Sequence, residues 1–74
     1  MTNFKVGDFK VGDLVEMVKT PYRNIINGDL GTVISIGQFR PGNELWARIY
    51  VFWHRIGSTR YSYQAELGLC NDEV

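Results

Sequence analysis

Three apolar stretches recur along the chain, each opened by turn residues. They are Val11-Gly12-Asp13-Leu14-Val15-Glu16-Met17-Val18, then Gly28-Asp29-Leu30-Gly31-Thr32-Val33-Ile34-Ser35-Ile36, then Leu45 through Trp53. All three are rich in apolar, β-branched or aromatic residues, which predicts strands. The third is the longest, and alternation sorts it into two faces. Leu45, Ala47, Ile49, Val51 and Trp53 make the expected core face, and Trp46, Arg48, Tyr50, Phe52 and His54 make the other. The second stretch sets Thr32, Ile34 and Ile36 against Val33 and Ser35 only imperfectly, and the segment Gly37 to Asn43, with its Pro41-Gly42, breaks it.

Between the first two strands, Thr20-Pro21-Tyr22-Arg23-Asn24 and Asn27-Gly28-Asp29 are rich in turn residues. Ile25-Ile26 between them is too short for an element of its own, so a long loop is expected with one isoleucine tucked beneath it. Gly57-Ser58-Thr59 turns the chain into Arg60-Tyr61-Ser62-Tyr63-Gln64, and Ala65 to Cys70 is expected to close as a short strand entered through a 3₁₀ turn. No helix longer than a turn or two is expected. At the N-terminus, Phe4-Lys5-Val6-Gly7-Asp8 is repeated directly as Phe9-Lys10-Val11-Gly12-Asp13. A period of five is odd, so two copies in one continuous strand would present opposite faces. The second copy leads into the first strand, which leaves the first as an arm, residues 1 to 9, ahead of a folded unit from 10 to 74.

Val11-Gly12-Asp13-x-Val15, a variable loop, Gly28-x-x-Gly31-x-Val33-x-x-Ile36, an apolar strand and a terminal Glu66-Leu67-x-Leu69 together resemble the SH3-like small barrels. The likeness spans roughly residues 10 to 70. Within that group it extends to KOW-type domains, to the small barrels found in photosystem I and in the variable chain of ferredoxin–thioredoxin reductase, and to short SH3-like proteins of tailed phages. The shared residues are turn glycines and core apolars that such a barrel itself requires. The expected fold is therefore all-β, a five-stranded SH3-like barrel with an N-terminal arm. The resemblance implies a non-catalytic binding or assembly module, a small accessory or virion component of phage type, docking on another protein or on copies of itself. A KOW-like nucleic-acid binder is the alternative, and a photosynthetic accessory barrel is a third reading.

A chain of 74 residues makes one domain and buries only roughly 60% of its unfolded surface, so reinforcement matters. Cys70 is the sole cysteine and His54 the sole histidine, which excludes an internal disulfide and offers no metal-ligand cluster, so no cofactor is expected. Four Tyr, four Phe and two Trp leave an aromatic core, or burial against another chain, as the remaining sources of stability. No signal-peptide pattern follows Met1 and no run reaches transmembrane length, so a place in the cytoplasm or within an assembled particle is expected, with no membrane. Formal net charge is zero, which argues against a non-specific nucleic-acid binder. The middle of the chain is nonetheless basic, with Lys19, Arg23, Arg40, Arg48, Arg55 and Arg60 against Asp29 and Glu44. Such a segment attracts phosphate or an acidic protein face, although solvated surface charge is the plainer reading.

Candidate function rests on aromatic residues. Trp46, Arg48, Tyr50 and Phe52 on one strand face make a candidate partner-binding stripe, because aromatics and Arg concentrate in interface hot spots. The same stripe suits stacking of single-stranded nucleic acid, or it is simply covered by Phe4, Val6 and Phe9 of the arm or by the Ile25-Ile26 loop. Tyr61 and Tyr63, at i and i+2 beside Arg55 and Arg60, and the first loop Thr20-Pro21-Tyr22-Arg23-Asn24 with its Arg23 are further candidates for nucleic-acid or acidic-partner contacts, against the plainer expectation of edge packing. His54 has no nucleophile at a recognisable spacing, and Gly28-Asp29-Leu30-Gly31 lacks the lysine and helix of a phosphate loop. No catalytic or metal site is expected.

Overall fold

The computed structural model describes residues 5–6 and 9–70, with side chains from Phe9 onward. Seven strands and two short 3₁₀ helices follow in order. They are β1 (Lys5–Val6), β2 (Phe9–Lys10), β3 (Leu14–Met17), β4 (Leu30–Ile36), η1 (Glu44–Trp46), β5 (Ile49–Trp53), β6 (Ser58–Ser62), η2 (Gln64–Glu66) and β7 (Leu67–Leu69). The protein is all-β. β3 to β7 form one antiparallel sheet in the order β6-β5-β4-β3-β7, and β1 pairs with β2 in a separate two-stranded ribbon. The two copies of the N-terminal repeat thus fold back on one another, with Val6 opposite Phe9 and Lys5 opposite Lys10.

Alternation explains the core. Val15 and Met17 of β3, Ile49, Val51 and Trp53 of β5, and Val33 and Ile36 of β4 point to one side and are buried with Ala47, Ile25, Leu67 and Phe9. Tyr22, Phe39 and Ile56 pack against this cluster. Phe9 is the last residue of the expected arm, yet its ring belongs to the core. The arm's Phe4 and the side chain of Val6 lie outside the described residues.

Two expectations need correction. Leu45 to Trp53 is not one strand: β5 starts only at Ile49, and Leu45 is exposed in η1 instead of facing the core. After Pro41-Gly42 the chain keeps turning, because Asn43 N–H donates to Arg40 O (2.9 Å), Trp46 N–H to Asn43 O (3.0 Å) and Ala47 N–H to Glu44 O (3.1 Å). These local bonds satisfy backbone groups that a strand would have to pair across a sheet. In β4, the register against β5 slips between Val33 and Ser35. The extra residue of this bulge resets the phase, so that Val33 and Ile36 both point inward while Ile34 and Ser35 are exposed. Here lies the cause of the imperfect alternation.

Two glycines are required by geometry. Gly57 closes the β5–β6 hairpin at φ 63°, with its N–H on Trp53 O at 2.8 Å. Gly31 lies opposite Trp53 in the β4–β5 pairing, and a Cβ there would sit 2.8 Å from Phe52 O and 2.9 Å from the Trp53 ring.

The long β3–β4 loop is tied down at both ends. Ile25 is buried in the core and Ile26 is exposed, so one isoleucine is tucked beneath the loop. Asp29, itself buried, accepts a two-pronged contact from Arg55, with Nε to Oδ1 at 2.9 Å and Nη2 to Oδ2 at 2.7 Å. Arg55 Nη2 also donates to Asn24 O at 2.8 Å, and Ile26 N–H donates to Asp29 Oδ2 at 3.1 Å. The Arg55 guanidinium, and after it the Ile26 amide, hold the Asp29 carboxyl below its ordinary pKa against the opposing effect of burial.

Candidate functional site

Antiparallel pairing determines which side chains share the outer face of β5 and β6. Tyr50 lies opposite Tyr61, and Phe52 opposite Thr59. Directly opposed residues project to the same side, so both pairs face away from the core that holds Ile49 and Val51. Arg48 and Tyr63, just beyond the ends of the two strands, extend this row, and η1 sets Trp46 beside it.

Ring geometry makes the row continuous. Trp46 meets Tyr63 edge-on with centroids 5.7 Å apart, Tyr63 meets Tyr61 at 5.8 Å, and Tyr61 meets Tyr50 at 6.0 Å. Edge-to-face contacts at these distances are favourable. The Arg48 guanidinium lies over the Tyr61 ring, 5.0 Å from its centroid. Hydrogen bonding to the hydroxyls of Tyr50 first and Tyr63 second pushes the arginine pKa above its ordinary value. Phe52 continues the row at the far end, tilted against His54 at 6.1 Å. The His54 ring is in turn within 2.8 Å of Thr32 Oγ1, as befits a side chain on the outer sheet surface.

This row is open. Trp46 is 70% exposed, Phe52 39% and Tyr61 36%, while Tyr50 and Tyr63 are half-buried by their neighbours. Among the described residues, neither Phe9 nor the isoleucine pair supplies the cover considered from sequence: Phe9 and Ile25 are in the core and Ile26 points to solvent. Of the other candidates, Tyr63 and Tyr61 join the row, but Arg60 does not. Arg60 lies opposite Val51 in the pairing, on the other side of β6, and its Nη1 donates to Thr59 O at 2.9 Å. Arg55 is committed to Asp29 and Asn24, and Arg23 is exposed in the first loop. Of Arg48, Arg55 and Arg60, therefore, Arg48 alone stands within the aromatic row.

The edge of the sheet beside this row is capped. The Tyr22 hydroxyl donates to Tyr61 O, and Arg60 holds Thr59 O, so two carbonyls along β6 are already used. Burial, then the nearby Tyr61 and Glu66, raise the Tyr22 pKa. Such capping removes acceptors that a further strand would need. Tyr22 belongs to the candidate loop from Thr20 to Asn24, but its bond to Tyr61 could not be read from spacing because the partner is 39 residues away.

Among the described residues no group of three or more His, Cys, Asp or Glu is placed to hold a metal ion, and no helix is long and apolar enough to cross a membrane. The chain has no significant match among protein-family profiles, curated proteins or solved structures.

Proposed function

We propose that this chain is an SH3-like barrel acting as a non-catalytic binding or assembly module, docking on another protein or on copies of itself, as a small accessory or virion component of phage type. The fold assignment is supported by the strand order, in which the last short strand returns to pair with β3 after a single 3₁₀ turn. One observation carries the docking reading: the open row Trp46, Tyr63, Tyr61, Arg48, Tyr50 and Phe52 on the outer face of β5 and β6. Aromatic rings in mutual contact beside an arginine are the groups that dominate interface energetics.

A KOW-like nucleic-acid binder is favoured by the same rings, since each can stack a base. The dispersal of Arg55 and Arg60 away from them weighs against it, because tracking a phosphate backbone takes several cations along one groove. Sedimentation equilibrium of the wild type and Trp46→Ala, beside titration with a single-stranded oligonucleotide at low and physiological salt, separates the two. The docking reading expects negligible oligonucleotide affinity at physiological salt. It also expects any self-association to weaken in the variant. Sub-micromolar, salt-sensitive oligonucleotide binding overturns it in favour of the KOW-like alternative.

A further inference from the structure

Arg48 differs from Arg55 in having no carboxylate partner among the described residues, and from Arg60 in lying over an aromatic ring. The ion pairs among the described residues are Lys10 with Asp13 and Arg55 with Asp29, so no described carboxylate meets Arg48 within 4.0 Å. The acids near the row are turned elsewhere. Glu44 accepts Gly42 N–H through Oε2 at 3.2 Å, and Glu66 accepts Tyr63 N–H through Oε1 at 3.0 Å. The guanidinium is nonetheless placed, over the Tyr61 ring with 5.0 Å to its centroid. A planar fork of donors positioned in advance loses little entropy when it takes an anion, and its geometry matches a carboxylate in two-pronged fashion.

On the docking reading above, we propose that the Arg48 guanidinium receives a side-chain carboxylate of an acidic protein segment, whose adjacent apolar residue packs on Trp46. A single cation in the row suits an isolated carboxylate, whereas a nucleic-acid backbone presents a series of phosphates. The exposed indole supplies apolar area within the same row, which a peptide side chain can bury. Capping of the β6 carbonyls by Tyr22 and Arg60 directs the partner onto the side-chain face and away from strand addition at that edge.

The test is an NMR titration of the isotope-labelled chain with three probes: a peptide alternating glutamate and leucine, the same peptide with glutamine for glutamate, and oligothymidine. The glutamate peptide is expected to shift the Trp46 indole and Arg48 Nε resonances and to weaken with added salt. The glutamine peptide should bind at least roughly tenfold more weakly, the worth of a hydrogen bond to a charged group. Arg48→Gln should lose a similar factor and Arg48→Lys a smaller one, with the buried Trp53 indole resonance unchanged as a check of folding. Equal affinity of the two peptides for these resonances overturns the carboxylate role but leaves a docking face. Shifts from neither peptide, together with Trp46→Ala having no effect on self-association, overturn both. Tighter binding of oligothymidine at the same resonances overturns the proposal in favour of nucleic acid.

Discussion

At the residue scale, the Asp29–Arg55 contact bridges two loops separated by 26 positions, and its partners share no local motif. No reading of spacing reveals it; only the folded register brings the β5–β6 turn against the β3–β4 loop. The Asp29 pKa is lowered on folding, so the folded state binds fewer protons than the unfolded one in that window. Its stabilising contribution is thus fully present above the ordinary carboxylate value of about 3.9 and is lost as pH falls through the depressed folded value. Urea denaturation of wild type and Asp29→Asn over a pH series should show the wild type's advantage shrinking through that range; a constant difference would count against the clamp. Gly31 makes a second prediction. A methyl group there would run into the Val51 side chain as well as the Phe52 carbonyl and the Trp53 ring, and backbone and buried indole cannot yield. Gly31→Ala should therefore cost about 1–3 kcal/mol in chemical denaturation.

Elements were legible in the sequence where burial and turn chemistry agreed. Val15, Met17, Ile49, Val51 and Trp53 fall on the core side as alternation requires, and the 3₁₀ turn ahead of the last short strand is where expected. Legibility failed at Leu45, since hydrophobic alternation cannot tell a strand from a turn whose apolar side chains point to solvent. It was incomplete for the candidate site as well. Tyr61 and Tyr63 could be placed on a common face from their spacing, but their contact with Arg48 and Trp46 depends on the hairpin register and on η1. Tyr22 belongs to this scale because it closes an edge. Tyr22→Phe should lower stability by about 0.5–1.5 kcal/mol, the net worth of one hydrogen bond. With its folded pKa raised, this phenol's contribution is present below the unfolded value of about 10 and lost as pH rises through the folded one. Equal stability of the variant and the wild type between neutral pH and pH of about 10 would show that the edge is not closed this way.

The N-terminal ribbon separates in the same manner. β1 is paired with β2 alone, whereas Phe9 of β2 is buried in the core. Deleting residues 1 to 8 is expected to leave cooperative unfolding intact, and Phe9→Ala in the full chain to cost roughly 3 kcal/mol or somewhat less, given the ring's place at the core margin. Thermal unfolding of both proteins checks this. A deletion that abolishes the cooperative transition would make the first repeat copy part of the core.

For the whole molecule, zero net charge, with Arg55 committed to Asp29 and Arg60 turned away from the rings, leaves little long-range attraction for a polyanion. What distinguishes the surface is one row of rings with a poised arginine, beside a strand edge whose carbonyls are capped. The most direct measurement is site-specific photo-crosslinking with a reactive amino acid at position 46, compared with the exposed Val11 as a control site, in the cells that make the protein. A discrete protein–protein product from position 46, absent from position 11 and lost with Arg48→Gln, is the predicted result. No product from position 46, equal products from both positions, or an adduct to nucleic acid would contradict a protein-docking role for this face.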